Sequence, residues 1–170
     1  IPDYLFADSE IEEITVPDTI KNLGASAFSW CTALKKVKLS SAITEIPDNT
    51  FYTCRSLESI TIPNAVKKIG DQAFYDCTNL LTVTGGNKLE KIGTHAFKDC
   101  TKLKNITLSS SIKEAGSSIF DGCTSLKTAG PTGGDYNIKF GFTEIIPDYL
   151  FADSEIEEIT VPDTIKNLGA

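Results

Sequence analysis

Methionine is absent from this 170-residue sequence, and histidine and tryptophan occur once each. Without a second histidine, a catalytic triad or general base would depend on carboxylates or lysine alone, and these form no cluster. Basic residues are also few: 16 lysines and arginines against 23 acidic residues give a formal charge of −7, which argues against a nucleic-acid partner. No apolar run approaches the roughly 18 residues of a membrane span, and no signal-peptide pattern opens the chain. We therefore predict no catalytic, metal-binding or cofactor-binding residue.

A strict period of 23 residues runs through most of the chain. Phenylalanine recurs at this spacing, with a cysteine three residues after each and a leucine three residues further on. The phenylalanines of the full repeats are Phe28, Phe51, Phe74, Phe97 and Phe120. Degenerate copies flank them, and both carry serine in place of cysteine. A period of this length predicts a solenoid in which stacked coils bury their apolar faces on one another and the phenylalanines form a central spine.

Each complete repeat contains two extended segments and a turn. Residues 57–62 read L-x-x-I-x-I, and this alternation predicts a strand that sends every second side chain into the core. Pro63 stops the strand, since proline cannot donate to a continuing ladder. Val66 and Ile69 indicate an extended return on the opposite side, and Asp71 is placed to cap a short helical turn. Equivalent strands of stacked coils then form a parallel sheet.

The repeat F-x-x-C-T-x-L-x-x-I-T-L-P-x-x-I-x-x-I-G-x-x-A-F resembles that of the BspA-like leucine-rich-repeat family. The resemblance covers essentially all of the chain outside residues 131–143. It implies a mainly β leucine-rich-repeat solenoid with a parallel sheet on the concave face and short strands and short 3-10 or α turns on the other faces. It also implies a secreted or cell-surface protein that binds host proteins or other cells, with no common catalytic residues. One departure is that Ala42 and Ala65 stand where asparagine or cysteine is expected after the strand.

The five cysteines invite a disulfide or metal interpretation. Stacked equivalents would lie near the Cα separation of a disulfide, but their side chains would run parallel into the core, and their number is odd. Zinc sites use C-x-x-C pairs and closely spaced histidines, and neither occurs. We therefore predict a column of buried free thiols.

The solvent side of the predicted sheet is the main candidate for a binding site. If Leu34, Val37 and Leu39 point inward, the lysines between them point to solvent, and the other repeats follow the same rule. The candidate binding-face residues are Glu12, Glu13, Lys35, Lys36, Lys38, Glu58, Thr61, Thr84, Lys104 and Thr107. The face carries no aromatic residue and so lacks the anchors that dominate many interfaces. It is either a solvated sheet that keeps the rod soluble or a weak multivalent binding face.

One insertion interrupts the period, because Phe120 and Phe151 lie 31 residues apart instead of 23. Residues 130–134 indicate a turn by composition, and residues 136–142 alternate as a strand would. The candidate loop residues in this stretch are Tyr136, Phe140 and Phe142. The stretch is either an interaction loop or a longer return strand that packs its aromatic rings on the solenoid.

Residues 1–25 recur without a single change at 146–170, which chance cannot produce. The chain is therefore an excerpt from a longer array of near-identical modules, or its first block was duplicated deliberately as a cap. We expect one repeat array of seven coils over residues 1–170, with an insertion near 131–143. We also expect both ends to be cut within a coil and to lack polar caps. This predicts head-to-tail self-association, with exchange of the identical blocks as a variant.

Two function classes follow. The first, which rests on the resemblance, is non-enzymatic adhesion or protein binding at a cell surface, with a protein of a host or of another cell as the partner. The second is a structural spacer without a ligand of its own. We predict no enzymatic activity, because the sequence contains no catalytic constellation.

Overall fold

A computed structural model of the chain describes residues 1–131, 138–140 and 144–170, with side chains at 1–130 and 144–170. These residues form a solenoid of short strands joined by turns. The strands are β1 (Glu13–Thr15), β2 (Lys36–Lys38), β3 (Glu45–Ile46), β4 (Ser59–Ile62), β5 (Lys68–Ile69), β6 (Thr82–Gly85), β7 (Lys91–Ile92), β8 (Asn105–Thr107), β9 (Glu114–Ala115), β10 (Thr128–Pro131), β11 (Ile138–Phe140), β12 (Ile145–Ile146), β13 (Glu158–Ile159) and β14 (Asn167–Leu168). Each coil is named below by the phenylalanine of its turn.

The main sheet is parallel and takes one strand from each coil, except that the Phe120 coil contributes two, β10 and β11. Its order is β1-β2-β4-β6-β8-β11-β10-β13 among the described residues. The register follows the repeat, so that Ile60 of β4 pairs with Val83 of β6. In β4 Ile60 and Ile62 are buried and Thr61 is exposed, and the strand ends directly before Pro63. The predicted strand, its alternation and its end are confirmed.

A second set of strands forms the return side of the solenoid. Strands β3, β5, β7 and β9 pair in parallel in that order, and β12 pairs separately with β14. Lys68 and Ile69 form the return strand β5, with Ile69 buried. The sequence therefore located the return strand correctly.

The core between the two sheets is organised around the phenylalanine spine. Phe51 stacks on Phe74 with ring centroids 5.2 Å apart, and Phe74 stacks on Phe97 at 5.0 Å. The stack continues to Phe6 at one end and to Phe151 at the other. The interior rings are fully buried. Each coil thus covers the apolar face of its neighbour, as expected for a one-dimensional array.

The turns differ from the sequence expectation. No described residue is helical, and the predicted short 3-10 or α turns are instead successive hydrogen-bonded turns. Gln72 and Asp76, two residues before and after Phe74, have φ of 54° and 55°, and every other coil repeats this pair of positive φ values. Because a right-handed helix requires negative φ throughout, this backbone cannot be helical.

The insertion adds a strand to the main sheet. Strand β11 lies between β8 and β10, which would be neighbours if the period were unbroken. The interpretation of this segment as a longer return strand is therefore wrong for residues 138–140. On the return side no ladder joins β9 to β12 among the described residues. The spine nevertheless continues, with Phe97 and Phe120 5.8 Å apart.

Candidate functional site

The candidate binding face is exposed as predicted. Thr61, Thr84 and Thr107 lie on β4, β6 and β8, and the hydroxyl oxygens of Thr61 and Thr84 are 3.1 Å apart. The candidates that lie on a strand or directly before one, all exposed, are Glu12, Glu13, Lys35, Lys36, Lys38, Glu58, Thr61, Thr84, Lys104 and Thr107. The parallel sheet therefore brings these side chains to one surface.

Four of the charged candidates are paired with one another. Lys35 Nζ lies 2.8 Å from Glu12 Oε2, and Lys36 Nζ lies 2.9 Å from Glu13 Oε1. The hydrogen bond between Lys35 and Glu12 lowers the pKa of the Glu12 carboxyl and raises the pKa of the Lys35 ammonium group. Because all four side chains are well exposed, water and salt screen these pairs. Their main effect is to neutralise these four charges where the first two coils meet on the sheet face.

Three charged candidates are left without such a partner. Lys38, Glu58 and Lys104 make no ion pair with another described residue, although all three are exposed. They are therefore the charges of this face that a binding partner can approach without first breaking a salt bridge.

Two open depressions of about 310 Å³ each mark the face. The first crosses several coils and is lined by Lys35, Ser56, Glu58, Asn79, Leu81 and Lys102. Leu81, 39% exposed, is its apolar element, and Lys102 Nζ donates to Asn79 Oδ1 at 2.7 Å. The second is lined by Glu13, Ile14, Thr15, Lys36, Val37 and Lys38. Open, mixed depressions of this kind suit a protein surface better than a small molecule, which usually occupies a concave, mostly apolar pocket.

A larger cleft of about 470 Å³ lies on the return side, where β9 and β12 do not pair. Its described lining is Ile112, Lys113, Glu114, Ala115, Glu144, Ile145 and Pro147. None of the candidate residues is among these. Of the candidate loop, Tyr136 and Phe142 lie outside the described residues, and Phe140 is the last residue of β11, where its backbone pairs with Pro131.

A row of aromatic side chains on the turn edge was missed by the sequence analysis. The Trp30 and Tyr52 ring centroids are 5.7 Å apart with an interplanar angle of 55°, and Tyr52 stacks on Tyr75 at 4.9 Å and 8°. Trp30 is 49% exposed. The signal was present, because Tyr52 and Tyr75 are one period apart and each follows a spine phenylalanine directly.

The cysteines are buried and free, as predicted. The Cys77 thiol donates to the backbone carbonyl of Phe51 at 3.1 Å, and the other cysteines make the same contact with the preceding coil. Within residues 1–131, 138–140 and 144–170, no three His, Cys, Asp or Glu side chains are grouped so as to hold a metal ion. No helix in the described part of the chain has the length and apolar character to cross a membrane.

Comparison with solved structures places the solenoid among bacterial repeat proteins. A leucine-rich repeat protein from Bacteroides ovatus is 28% identical with a TM-score of 0.75, and the match covers 95% of this chain and 45% of that one. The T. pallidum leucine-rich repeat protein is 25% identical with a TM-score of 0.79, and the match covers 90% of this chain and 68% of that one. The chain thus spans about half the length of the first relative.

A leucine-rich cell surface protein from Faecalibacterium prausnitzii shares the fold at 23% identity, with a TM-score of 0.54 over 94% of this chain and 59% of its own. No curated protein matches the sequence. The BspA type leucine-rich repeat model matches in 6 copies over residues 1–127 and 136–170, which leaves out residues 128–135. By this match and by the shared solenoid, the chain belongs to the BspA-type leucine-rich repeat family.

Proposed function

We propose that the chain is a non-enzymatic protein-binding module of a secreted or cell-surface adhesion protein, and that the exposed face of the main sheet contacts the partner. The observation that carries the proposal is a set of exposed charges without an ion pair, Lys38, Glu58 and Lys104. Their side chains lie on the solvent side of the sheet and do not pack in the core. The name of the structural relative from F. prausnitzii, a cell surface protein, supports the location. The partner is a protein of a host or of another cell.

The chemistry of the face predicts weak contacts that act together. Exposed charges contribute little individually and are screened by salt. A repeated surface can nevertheless engage several equivalent groups at once, and avidity then exceeds the affinity of any single contact. Binding by this face should therefore weaken as ionic strength rises.

The test replaces the free lysines by the opposite charge. We expect Lys38→Glu combined with Lys104→Glu to abolish attachment of the protein to host cells or extracellular matrix while the melting temperature stays unchanged, because neither lysine forms an ion pair. The matched control reverses two exposed lysines on other faces, Lys88→Glu and Lys21→Glu, and should retain attachment.

A structural spacer is the second candidate. The inter-coil ion pairs that neutralise Glu12 and Glu13, together with the lack of aromatic residues among the candidate binding-face residues, favour a solvated surface. If the double lysine variant attaches to cells as well as the unmodified protein does, the adhesion proposal is wrong for this face and the spacer is supported.

We also propose that this 170-residue chain self-associates head to tail. The two identical blocks differ in which side is covered: Leu5 is 53% exposed while its copy Leu150 is 3% exposed, and Leu23 is 7% exposed while its copy Leu168 is 69% exposed. In each block, therefore, the side that is exposed corresponds to the side that is buried against a neighbouring coil in the other block. A second copy of the chain supplies the missing neighbour at either end.

Sedimentation velocity at increasing concentration tests this association. We expect the weight-average mass to rise with concentration and Leu168→Glu to prevent the rise, since the charge would have to be buried at the joint. The control Val161→Thr, on the same block, keeps most of the volume and should weaken association only slightly. A single monomeric species at every concentration contradicts the proposal.

A further inference from the structure

Trp30 occupies a backbone position that disfavours a bulky side chain. Two residues after its spine phenylalanine, each coil has a residue with positive φ, and Trp30 has φ of 61°. The residues at this position are Asp8, Trp30, Thr53, Asp76, Asp99, Gly122 and Asp153. Aspartate and glycine tolerate this conformation, whereas it is an outlier for a bulky residue. The repeat imposes this backbone in every coil, including on the buried Thr53, so the conformation itself is structural. Trp30 differs because a large, half-exposed ring occupies the position.

The surrounding side chains hold the indole ring in place without burying it. Trp30 is half exposed and leans on Tyr52, which in turn stacks on Tyr75. None of the three rings belongs to the phenylalanine spine. The row is therefore a supported aromatic anchor that the core does not require, and tryptophan and tyrosine are the residues that most often dominate protein interfaces.

Charges of both signs lie near the row: Arg55 is paired with Asp76, and Lys98 with Asp121. In the coil before Trp30, by contrast, the acidic charge of Asp8 has no basic partner among the described residues. Asp8 occupies the position of Trp30 in the preceding coil, and its backbone N–H donates to the carbonyl of Ser29 at 2.8 Å. The Asp8 carboxylate makes no hydrogen bond or ion pair with another described residue. At the other end, burial and then the nearby Asp99 carboxylate raise the pKa of the Tyr75 hydroxyl. An indole face next to a free carboxylate attracts a cation by both cation–π and ionic contacts.

We propose that Trp30, supported by Tyr52 and accompanied by Asp8, binds an arginine- or lysine-bearing segment of a partner protein. This surface lies on the turn edge and is separate from the face of the main sheet. Arginine fits best, because its planar guanidinium group stacks on an aromatic ring while donating to a carboxylate. A sugar fits less well, because the rings of Tyr52 and Tyr75 cover each other's faces and leave no extended platform.

A pair of short peptides tests the proposal on the intact chain. The probe is acetyl-Gly-Arg-Leu-Arg-Gly-amide, and its counterpart carries glutamate at both arginine positions. Since Trp30 is the single tryptophan, its fluorescence reports binding directly. We expect a saturable change with the arginine peptide and none with the glutamate peptide or with cellohexaose. Saturation by cellohexaose but not by the arginine peptide would overturn the proposal in favour of a carbohydrate site.

Two variants separate the anchor from general attraction to an acidic protein. Trp30→Asp installs the residue that most other coils use and makes the protein more negative, so unspecific attraction of a basic peptide would become stronger. We instead expect binding of the fluorescein-labelled arginine peptide, measured by fluorescence polarisation, to weaken about tenfold or more, in keeping with loss of a cation–π anchor. Trp30→Asp should also melt no lower than the unmodified protein, because aspartate suits the positive φ.

The matched control is Thr32→Asp. Thr32 is exposed and only two residues from Trp30, so this variant adds the same charge to the same edge and keeps the aromatic row. We expect it to bind the arginine peptide as tightly as the unmodified protein or more tightly. Equal or tighter binding by Trp30→Asp, at retained melting temperature, would show that the aromatic row is not the binding site.

Discussion

Each cysteine serves as a small apolar side chain that also satisfies a backbone acceptor. The thiols of Cys54, Cys77 and Cys100 donate to carbonyls of the preceding coil at 3.1 Å. Burial raises the pKa of Cys54 and of Cys100 well above the ordinary thiol value, because the thiolate would lose its hydration. Since the thiolate is the reactive form, the fold keeps these two thiols unreactive, and burial shields all five cysteines from reagents in solvent.

We expect the cysteine thiols to be unreactive in the folded protein and to react once the protein is unfolded. Titration with an aromatic disulfide reagent at pH 8 should detect no fast-reacting thiol in the native protein and all 5 after unfolding in guanidinium chloride without reductant. A count below this in the unfolded protein would indicate a disulfide, which contradicts the structure. Fast reaction in the native protein would indicate an open coil.

The phenylalanine spine allows the same residue to be removed in two environments. Phe74 is fully buried between two rings, whereas Phe6 is partly buried and has one ring neighbour. Phe74→Ala should lower the free energy of unfolding by about 3–5 kcal/mol, because it leaves a cavity in the middle of the stack. Phe6→Ala should cost clearly less. Urea unfolding followed by circular dichroism measures both, and equal losses would contradict the account of the core.

At the scale of the turn, aspartate side chains link one coil to the next. Asp48 Oδ1 accepts the backbone N–H of Asp71 at 2.9 Å, and Asp71 Oδ1 accepts that of Thr94 at 2.8 Å. Ala25 makes the same contact with Asp3 in the first coil. Asp71 therefore does not cap a helix, as its position in the sequence suggested, but bonds to the following coil.

Substitution of Asp71 tests this link. Asp71→Ala removes the acceptor of the Thr94 amide and should cost about 1 kcal/mol, the usual net worth of one hydrogen bond. Asp71→Asn keeps a side-chain oxygen at the same place and should cost less. Urea unfolding compares the two. If Asp71→Asn lowers the free energy of unfolding as much as Asp71→Ala does, the charge of Asp71 and not its hydrogen bond stabilises the turn.

The strands could be predicted from the sequence because their signal is local. Alternation at Ile60, Thr61 and Ile62 shows the strand, and the 23-residue period shows what stacks on it. The turns could not be predicted in this way. The N–H of Gln72 donates to the carbonyl of Thr94 in the next coil at 2.9 Å, and this contact accompanies the positive φ of Gln72. No short window of sequence contains both partners.

The insertion and the aromatic row show two other features that the sequence pattern did not predict. Strand β11 pairs with β8, which lies about thirty residues earlier in the chain. Alternation of apolar residues predicts a strand but does not indicate which sheet the strand joins. Trp30 was overlooked because the repeat was read for its shared residues, whereas tryptophan occurs at that position in a single coil. In this chain the candidate functional residue Trp30 is one that departs from the repeat.

Across the whole molecule, ion pairs one period apart join the coils. On the return side Glu90 lies between two lysines, with its carboxylate oxygens 3.2 Å from Lys67 Nζ and 3.3 Å from Lys113 Nζ. Their hydrogen bonds lower the pKa of the Glu90 carboxyl below its ordinary value of 4.5. The neighbouring pair of Lys91 with Glu114 lowers the pKa of Glu114 in the same way.

These pairs predict destabilisation in acid. A carboxyl whose pKa is lower in the fold than in the unfolded chain stabilises the fold above the ordinary value, and the contribution is lost as the pH falls through the folded-state pKa. The melting temperature should therefore decline below pH 4.5, the ordinary value for Glu90. Glu90→Gln should reduce the decline, whereas Glu58→Gln, which breaks no ion pair, should leave it unchanged. An identical acid profile for all three proteins would contradict this role of Glu90.

The extra strand β11 also has a mechanical consequence. It widens the main sheet by one strand spacing, about 4.8 Å, and the opposite side opens by the cleft between β9 and β12, while the turns of the Phe97, Phe120 and Phe151 coils stay hydrogen-bonded. The coils are therefore spread apart on the main-sheet side and on the return side, whereas hydrogen bonds keep their spacing unchanged on the turn side. We therefore expect the axis of the solenoid to change direction between the Phe97 and Phe120 coils, so that the exposed sheet surfaces before and after the insertion face different directions.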